Sequence, residues 1–127
     1  MESSKKYFVL ASVFGLTGVG LGAFGAHALK SALDPGMFQV YETGVRYQMY
    51  HTFALFIAAW AFRSTQGRWF RTAARLFSTG ILLFSGSLYL LSATSTTWFG
   101  YITPFGGLLF LGGWVLLALG FWKEKVE

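Results

Sequence analysis

The sequence predicts an all-α, polytopic membrane protein: four transmembrane helices in an antiparallel bundle, with both termini on the cytoplasmic side. Three observations predict it. Hydrophobic residues fill 54% of the 127 positions and charged residues only 12%, outside the range of an ordinary soluble domain. Long apolar runs recur along the chain, separated by short polar or charged stretches. Lysines and arginines gather at alternate ends of those runs, the asymmetry that orients membrane helices.

About 20 helical residues cover the roughly 30 Å of hydrocarbon in a bilayer. The expected spans are approximately residues 7–29, 35–62 including an interfacial start, 72–91 and 103–122, together forming one domain over 1–127. The first follows Lys5 and Lys6 and resembles a signal peptide. It is longer than a signal h-region and runs into GAHALK, so it reads as a retained helix. Asp34-Pro35 combines an N-cap with a proline at the first helical position and starts the second helix ahead of its most apolar part, 47–62. Thr103-Pro104 repeats that logic for the fourth. SATSTTW, residues 92–98, reads as an uncharged loop with an interfacial tryptophan.

With the N-terminus inside, that side collects Lys5, Lys6, Arg63, Arg68, Arg71, Arg75, Lys123 and Lys125, eight of the ten basic residues, and leaves Lys30 and Arg46 outside. The expected location is the inner (plasma) membrane, multi-pass, with cytoplasmic termini. The loop over residues 63–75, with Trp69 and Phe70, reads as an anchor at anionic lipid headgroups.

The net charge of +5 follows this topology and forms no basic face, so no nucleic-acid partner is expected. The absence of cysteine removes disulfides, thiolate catalysis and Cys-based metal sites. GVGLGAFG lacks the preceding strand of a dinucleotide-binding loop. No nucleophile–base constellation stands out, and the sequence leans away from an enzyme.

Helices in lipid associate through close contact and hydrogen bonds, both favoured by small residues. Gly15, Gly18, Gly22 and Gly25 recur at spacings of 3, 4 and 3 and form one stripe on the first helix. Ser78, Ser85 and Ser92 on the third span, and Gly106, Gly113 and Gly120 on the fourth, each recur every seven residues, the period of left-handed antiparallel packing.

Most of the unusual polar residues fall between His27 and His51: Lys30, Asp34, Gln39, Glu42, Arg46, Tyr47, Gln48 and Tyr50 lie between them. Ionisable groups at membrane depth are costly and usually paired, so His27, Lys30, Glu42, Arg46, Tyr47, Gln48 and His51 form the candidate binding or motif cluster. Glu42 and Arg46 stand at i, i+4 with Gly44 between them, an arrangement expected to form a largely buried pair against the glycine face. His27 and His51 lie at comparable depth on antiparallel helices, which makes haem or metal ligation geometrically possible. A histidine bonded to a backbone carbonyl or to Tyr47 is the plainer expectation, and no cofactor or metal is predicted.

GAFGAHALK (residues 22–30) and YETGVRYQMYH (residues 41–51) resemble the two signatures of domain-of-unknown-function family 423, the small YgdD/YwdK-like four-helix membrane proteins, which have a mitochondrial counterpart in animals. The resemblance covers essentially the whole chain. It implies a four-helix protein of bacterial inner-membrane type and no established activity, and it makes Gly22, Gly25, His27, Glu42, Gly44, Arg46, Tyr47, Gln48 and His51 the motif positions.

The leading expectation is a non-enzymatic membrane protein, an accessory subunit of a larger complex or a membrane-stress or integrity factor. Its partners would be the lipid bilayer and a membrane complex or further copies of itself. The alternatives are a small oligomeric transporter or channel and a quinone- or haem-associated redox protein.

Overall fold

The structure, a computed structural model, describes residues 3–127. Helix α1, Lys5–Phe24, passes into a π-helical turn, Gly25–Leu29, and ends in the short turn Lys30–Ala32. Helix α2 spans Pro35–Thr65 and α3 spans Arg68–Thr94. A 3-10 turn, Thr97–Tyr101, leads into α4, Thr103–Lys123.

Local chemistry explains most boundaries. The Asp34 carboxylate accepts from the Met37 N–H at 3.2 Å ahead of Pro35, so α2 starts at the proline as one continuous helix. Gln66 and Ser95 turn the chain out of α2 and α3 in the left-handed region, with φ of 56° and 55°, and their N–H groups close on Phe62 and Leu91. Thr103 departs from the expected N-cap role: it lies inside α4, and its hydroxyl meets that of Ser87 on α3 at 2.6 Å. Residues 92–94 of the expected loop belong to α3, and Trp98 within the 3-10 turn is 61% exposed.

Among the described residues three helices are long and apolar enough to cross a membrane by length and composition: Lys5–Ala32, Arg68–Thr94 and Thr97–Lys123. Helix α2, at 31 residues, is long enough but not apolar enough to be among them. Gln39, Glu42, Arg46, Gln48 and His51 lower its hydropathy, and it is flanked by protein on two sides.

Helices α2 and α3 form the centre, with α1 laid against α2 and α4 against α3. Helix α1 barely touches α3, so the bundle is open along that edge. Ala54, Ala58 and Ala61 on α2 and Ala73 and Ala74 on α3 are fully enclosed and let the two backbones approach, while Phe62, Phe70 and Phe77 fill the remaining space. One end of the bundle gathers the start of α1, the end of α2, the start of α3 and the end of α4. There Tyr7 packs edge-on to Phe62 at 6.2 Å, and Phe70 on Phe121 at 5.0 Å.

The small residues mark the contacts. A Cβ placed on Gly15, Gly22 or Gly25 would stand 3.6, 3.4 and 2.5 Å from Thr52, Val45 and Tyr41 of α2, so the stripe on α1 is its α2 face. Gly20 has nothing within 4 Å. On α4, Gly113 and Gly120 receive the rings of Phe77 and Phe70, whose nearest carbons would each lie 2.6 Å from a Cβ at those positions, and Gly106 lies directly on the Phe84 backbone. Phe70, Phe77 and Phe84 therefore supply the seven-residue partner of the glycine series. The serine series turns elsewhere, since Ser85 Oγ donates to the Gly44 carbonyl of α2 at 2.6 Å.

A methyl group at Gly106 has no flexible side chain to displace, only the backbone of α3. Gly106→Ala should lower thermal stability in detergent by about 1–3 kcal/mol, the usual cost of overpacking. Gly20→Ala should be neutral or stabilise by about 0.5–1 kcal/mol through helix propensity. Equal melting temperatures for the two variants would show that α3 and α4 do not meet at Gly106.

Candidate functional site

The motif residues divide into three groups in space. The first surrounds Gln48, a buried amide on α2 whose Nε2 donates to the Phe14 carbonyl at 2.8 Å and to Thr17 Oγ1 at 2.9 Å, both on α1. Its Oε1 accepts from the Tyr89 hydroxyl of α3 at 2.6 Å. Gly18 makes this approach possible, because a Cβ there would stand 3.3 Å from Nε2. Tyr89 packs over Gly44 and lies 5.4 Å from the Tyr41 ring. Tyr41 in turn rests on Gly25 and donates its hydroxyl to the Leu21 carbonyl at 2.5 Å, just before the π turn. Three helices are thus tied through the Gln48 amide, with Tyr41 packed beside Tyr89 and bonded separately to α1.

The second group centres on His51. Its Nδ1 lies 2.7 Å from the Tyr47 carbonyl, which can only accept, and the indole Nε1 of Trp114, which can only donate, lies 3.1 Å from Nε2. These partners require a neutral ring protonated on Nδ1, with both nitrogens committed. The ring stacks on Phe110 at 3.5 Å and 6° and lies 5.8 Å from Phe77. Tyr47, 38% exposed, packs on Phe84 at 4.8 Å. The rings of Tyr47, His51, Phe84, Phe110 and Trp114, with Tyr50, Pro104, Gly107 and Leu108, line an apolar groove of about 600 Å³ between α2 and α4.

The third group sits between α1 and α2 near the π turn, where Gly22, Gly25, Tyr41, Glu42, Val45 and Arg46 border a cavity of about 110 Å³. The expected Glu42–Arg46 pair does not form. Arg46 is exposed and donates to Thr43 Oγ1 at 3.2 Å, and Glu42 is half-buried beside it. The glycine face expected to receive the pair is filled by Tyr41 and Val45.

His27 and Lys30 are exposed at the far end of α1. The structure does not bring His27 to His51: Gly25 faces Tyr41 and Gly15 faces Thr52, so the two histidines stand on different levels and not at the comparable depth expected, and His27 is exposed while His51 turns toward α3 and α4. Among the described residues no group of three or more His, Cys, Asp or Glu could hold a metal ion. Sequence reasoning missed Tyr89, Thr17, Phe110 and Trp114, which carry no local signal. It also passed over the Phe70–Phe77–Phe84 series, whose period was there to be seen.

Gln48→Leu strands the Tyr89 hydroxyl and removes the bonds to α1. Interhelical bonds in membranes average about 0.6 kcal/mol, and an orphaned buried group costs about 1–3 kcal/mol, so a loss of about 1–3 kcal/mol is expected in detergent melts. Gln48→Leu/Tyr89→Phe should lose less than the sum of the single variants, and strict additivity would mean that the two side chains are uncoupled.

A sequence profile described as "Protein of unknown function (DUF423)" matches residues 21–107. The chain is 42% identical over 116 residues to the UPF0382 membrane protein YwdK of Bacillus subtilis, covering 91% of this chain and 94% of that one. It is 43% identical over 121 residues to a UPF0382 membrane protein of Haemophilus influenzae, covering 94% and 96%. The UPF0382 inner membrane protein YgdD of Escherichia coli K12 is 36% identical over 118 residues, with 93% and 90% covered. No solved structure matches. This chain is a membrane protein that belongs to the DUF423 family, whose activity is unknown.

Proposed function

We propose that the protein is a non-enzymatic, four-span accessory subunit of the inner (plasma) membrane, with both termini in the cytoplasm. The observation that carries this reading is the use made of its motif polar groups. Gln48, Tyr41 and His51 each bond to a neighbouring helix, whereas an active site needs such groups aimed at a substrate.

The proposed fourth span is α2. It lies antiparallel along α1 from the Tyr41–Gly25 contact to the Tyr7–Phe62 contact, so a bilayer crossed by α1 is crossed by α2 as well. Its Gln48 and His51 are buried inside the protein, away from lipid, where ionisable and polar side chains of membrane helices belong. The end shared by both termini also carries Lys5, Arg63, Arg75 and Lys123, which favours placing it on the cytoplasmic side. The two bonds on the His51 nitrogens speak against haem ligation, since an axial ligand needs a free nitrogen lone pair.

Cysteines introduced at the exposed positions Gln66 and Ser95 report the orientation, with no native cysteine to confuse them. In intact cells an impermeant thiol reagent should label Ser95→Cys and spare Gln66→Cys, and the reverse pattern would invert the topology. Mild detergent extraction with native mass determination and an absorption spectrum tests the role. A stoichiometric complex with a different membrane subunit and no visible absorption is expected. A purely homo-oligomeric, ion-conducting species would favour a channel, and a haem band abolished by His51→Ala would favour a redox protein.

A further inference from the structure

Helix α2 meets α1 through Val45 and Gln48, and turns Gly44 and His51 toward α3. A third face has no neighbour. Glu42, Arg46, Tyr50, Phe53, Ile57 and Trp60 follow one another at spacings of three and four and form a single stripe there, exposed except for the half-buried Glu42. The stripe runs for about 27 Å at 1.5 Å per residue, close to the roughly 30 Å of hydrocarbon in a bilayer. Burial inside the protein accounts for Gln48 and His51 on this helix but not for Glu42 and Arg46. Val45, beside them, stands against Gly22, and Lys30 at the far end of α1 lies about 12 Å farther along. Charged side chains at such depth are costly unless paired. Arg46 Nη2 donates to Thr43 Oγ1, and among the described residues neither Arg46 nor Glu42 has an ion-pair partner.

We infer that two copies of this chain pair along the free face of α2, with Glu42 of each copy bonded to Arg46 of the other. Four residues along a helix advance about 40° around it and about 6 Å along it, so the carboxylate and the guanidinium stand side by side on the face. Copies inserted in the same direction are related by a two-fold axis along the bilayer normal. An axis passing between the two side chains brings each acid to the opposite base, which is the self-complementarity that an isologous interface requires. Phe53, Ile57 and Trp60 then pack on the same residues of the second copy, where they continue the contact through the apolar depth. A foreign helix would need a carboxylate and a cation at two matching heights, and an acidic headgroup reaching Arg46 would meet the Glu42 carboxylate beside it. The second copy supplies both charges in register. The inference rests on the proposal that α2 crosses the bilayer, and not on which other subunit joins the protein.

The chain has no cysteine, so single substitutions report the contact. The full chain carrying Phe53→Cys or Ile57→Cys, expressed at low level, is oxidised with copper phenanthroline in isolated membranes. Disulfide-linked dimers of the chain are expected from both, and not from Leu16→Cys on α1 or Leu111→Cys on α4, although those positions are more exposed. In the Phe53→Cys chain, Glu42→Arg or Arg46→Glu sets like charges against one another and should lower the dimer yield roughly tenfold, since each interhelical hydrogen bond in lipid is worth about a threefold preference and two are lost. Glu42→Arg/Arg46→Glu should restore the yield, which a mere fault in folding would not do. If a reversal variant does not insert, Arg46→Gln takes its place with the same loss expected. Dimers undiminished by a charge change, an inserted double reversal that stays monomeric, or equal yields at 16, 53, 57 and 111 would overturn the inference. Disulfides from 53 or 57 to a different polypeptide would also overturn it and leave the accessory role standing. Charge-dependent dimers with no other subunit bound would uphold it and count against that role. A chain that is not recovered in membranes would remove the membrane-spanning proposal, and this pairing with it.

Discussion

The Gln48 side chain bonds α1 through Phe14 and Thr17 and α3 through Tyr89, so the register of three helices depends on one buried amide. Inside a bilayer this matters more than in water, because apolar surface gains little by leaving lipid for protein and association must come from contact and hydrogen bonds. Much around Gln48 serves to bring it within reach. Gly18 clears its path to α1, Gly44 admits the Tyr89 ring, and Ser85 fixes the same stretch of α2 to α3 through the Gly44 carbonyl.

The same constraint accounts for the composition of α2. A helix flanked by protein on two sides can carry an amide, an imidazole and several phenols where those neighbours satisfy them, while Phe53, Ile57 and Trp60 keep most of its remaining face apolar and exposed. The burial of Gln48 and His51 on α2 and the exposure of Leu16, Val19, Leu108 and Leu111 on the outer helices are two aspects of one arrangement. The motif containing Gly25 and His27 forms a π turn, in which Gly25 seats Tyr41 while His27 faces outward.

Between α3 and α4 the interlock is made without polar groups along most of its length. Phenylalanines at 70 and 77 enter the gaps left by glycines at 120 and 113, Gly106 lies on the backbone at Phe84, and Thr103 closes the far end on Ser87. His51 reaches this interface from α2 and joins it as a flat neutral ring, stacked on Phe110 and capped by Trp114. A histidine at such depth fits a stacking position as readily as a ligand position, and the identity of its two hydrogen-bond partners distinguishes them.

Much of this was legible in the residues. Helical class, the small-residue stripes, the cap at Asp34-Pro35 and the clustering of cations at one end depend on local spacing and composition, which the chain carries wherever it folds. What the stripes pack against was not legible, because the faces of Gly18 and Gly113 are occupied by residues from distant segments, Met49 and Phe77. The fate of the ionisable groups was also a tertiary matter. Glu42 and Arg46 have the spacing of a pair, yet the space against α1 is taken by Tyr41 and Val45, and Arg46 turns out to Thr43 instead. His27 and His51 were expected at matching depths, but the register of α1 on α2 sets His27 beyond the Gly25–Tyr41 contact and His51 beside the Gly15–Thr52 contact, on different levels of the bundle. That register is set by the packing of the helices together, through contacts between residues far apart in the chain.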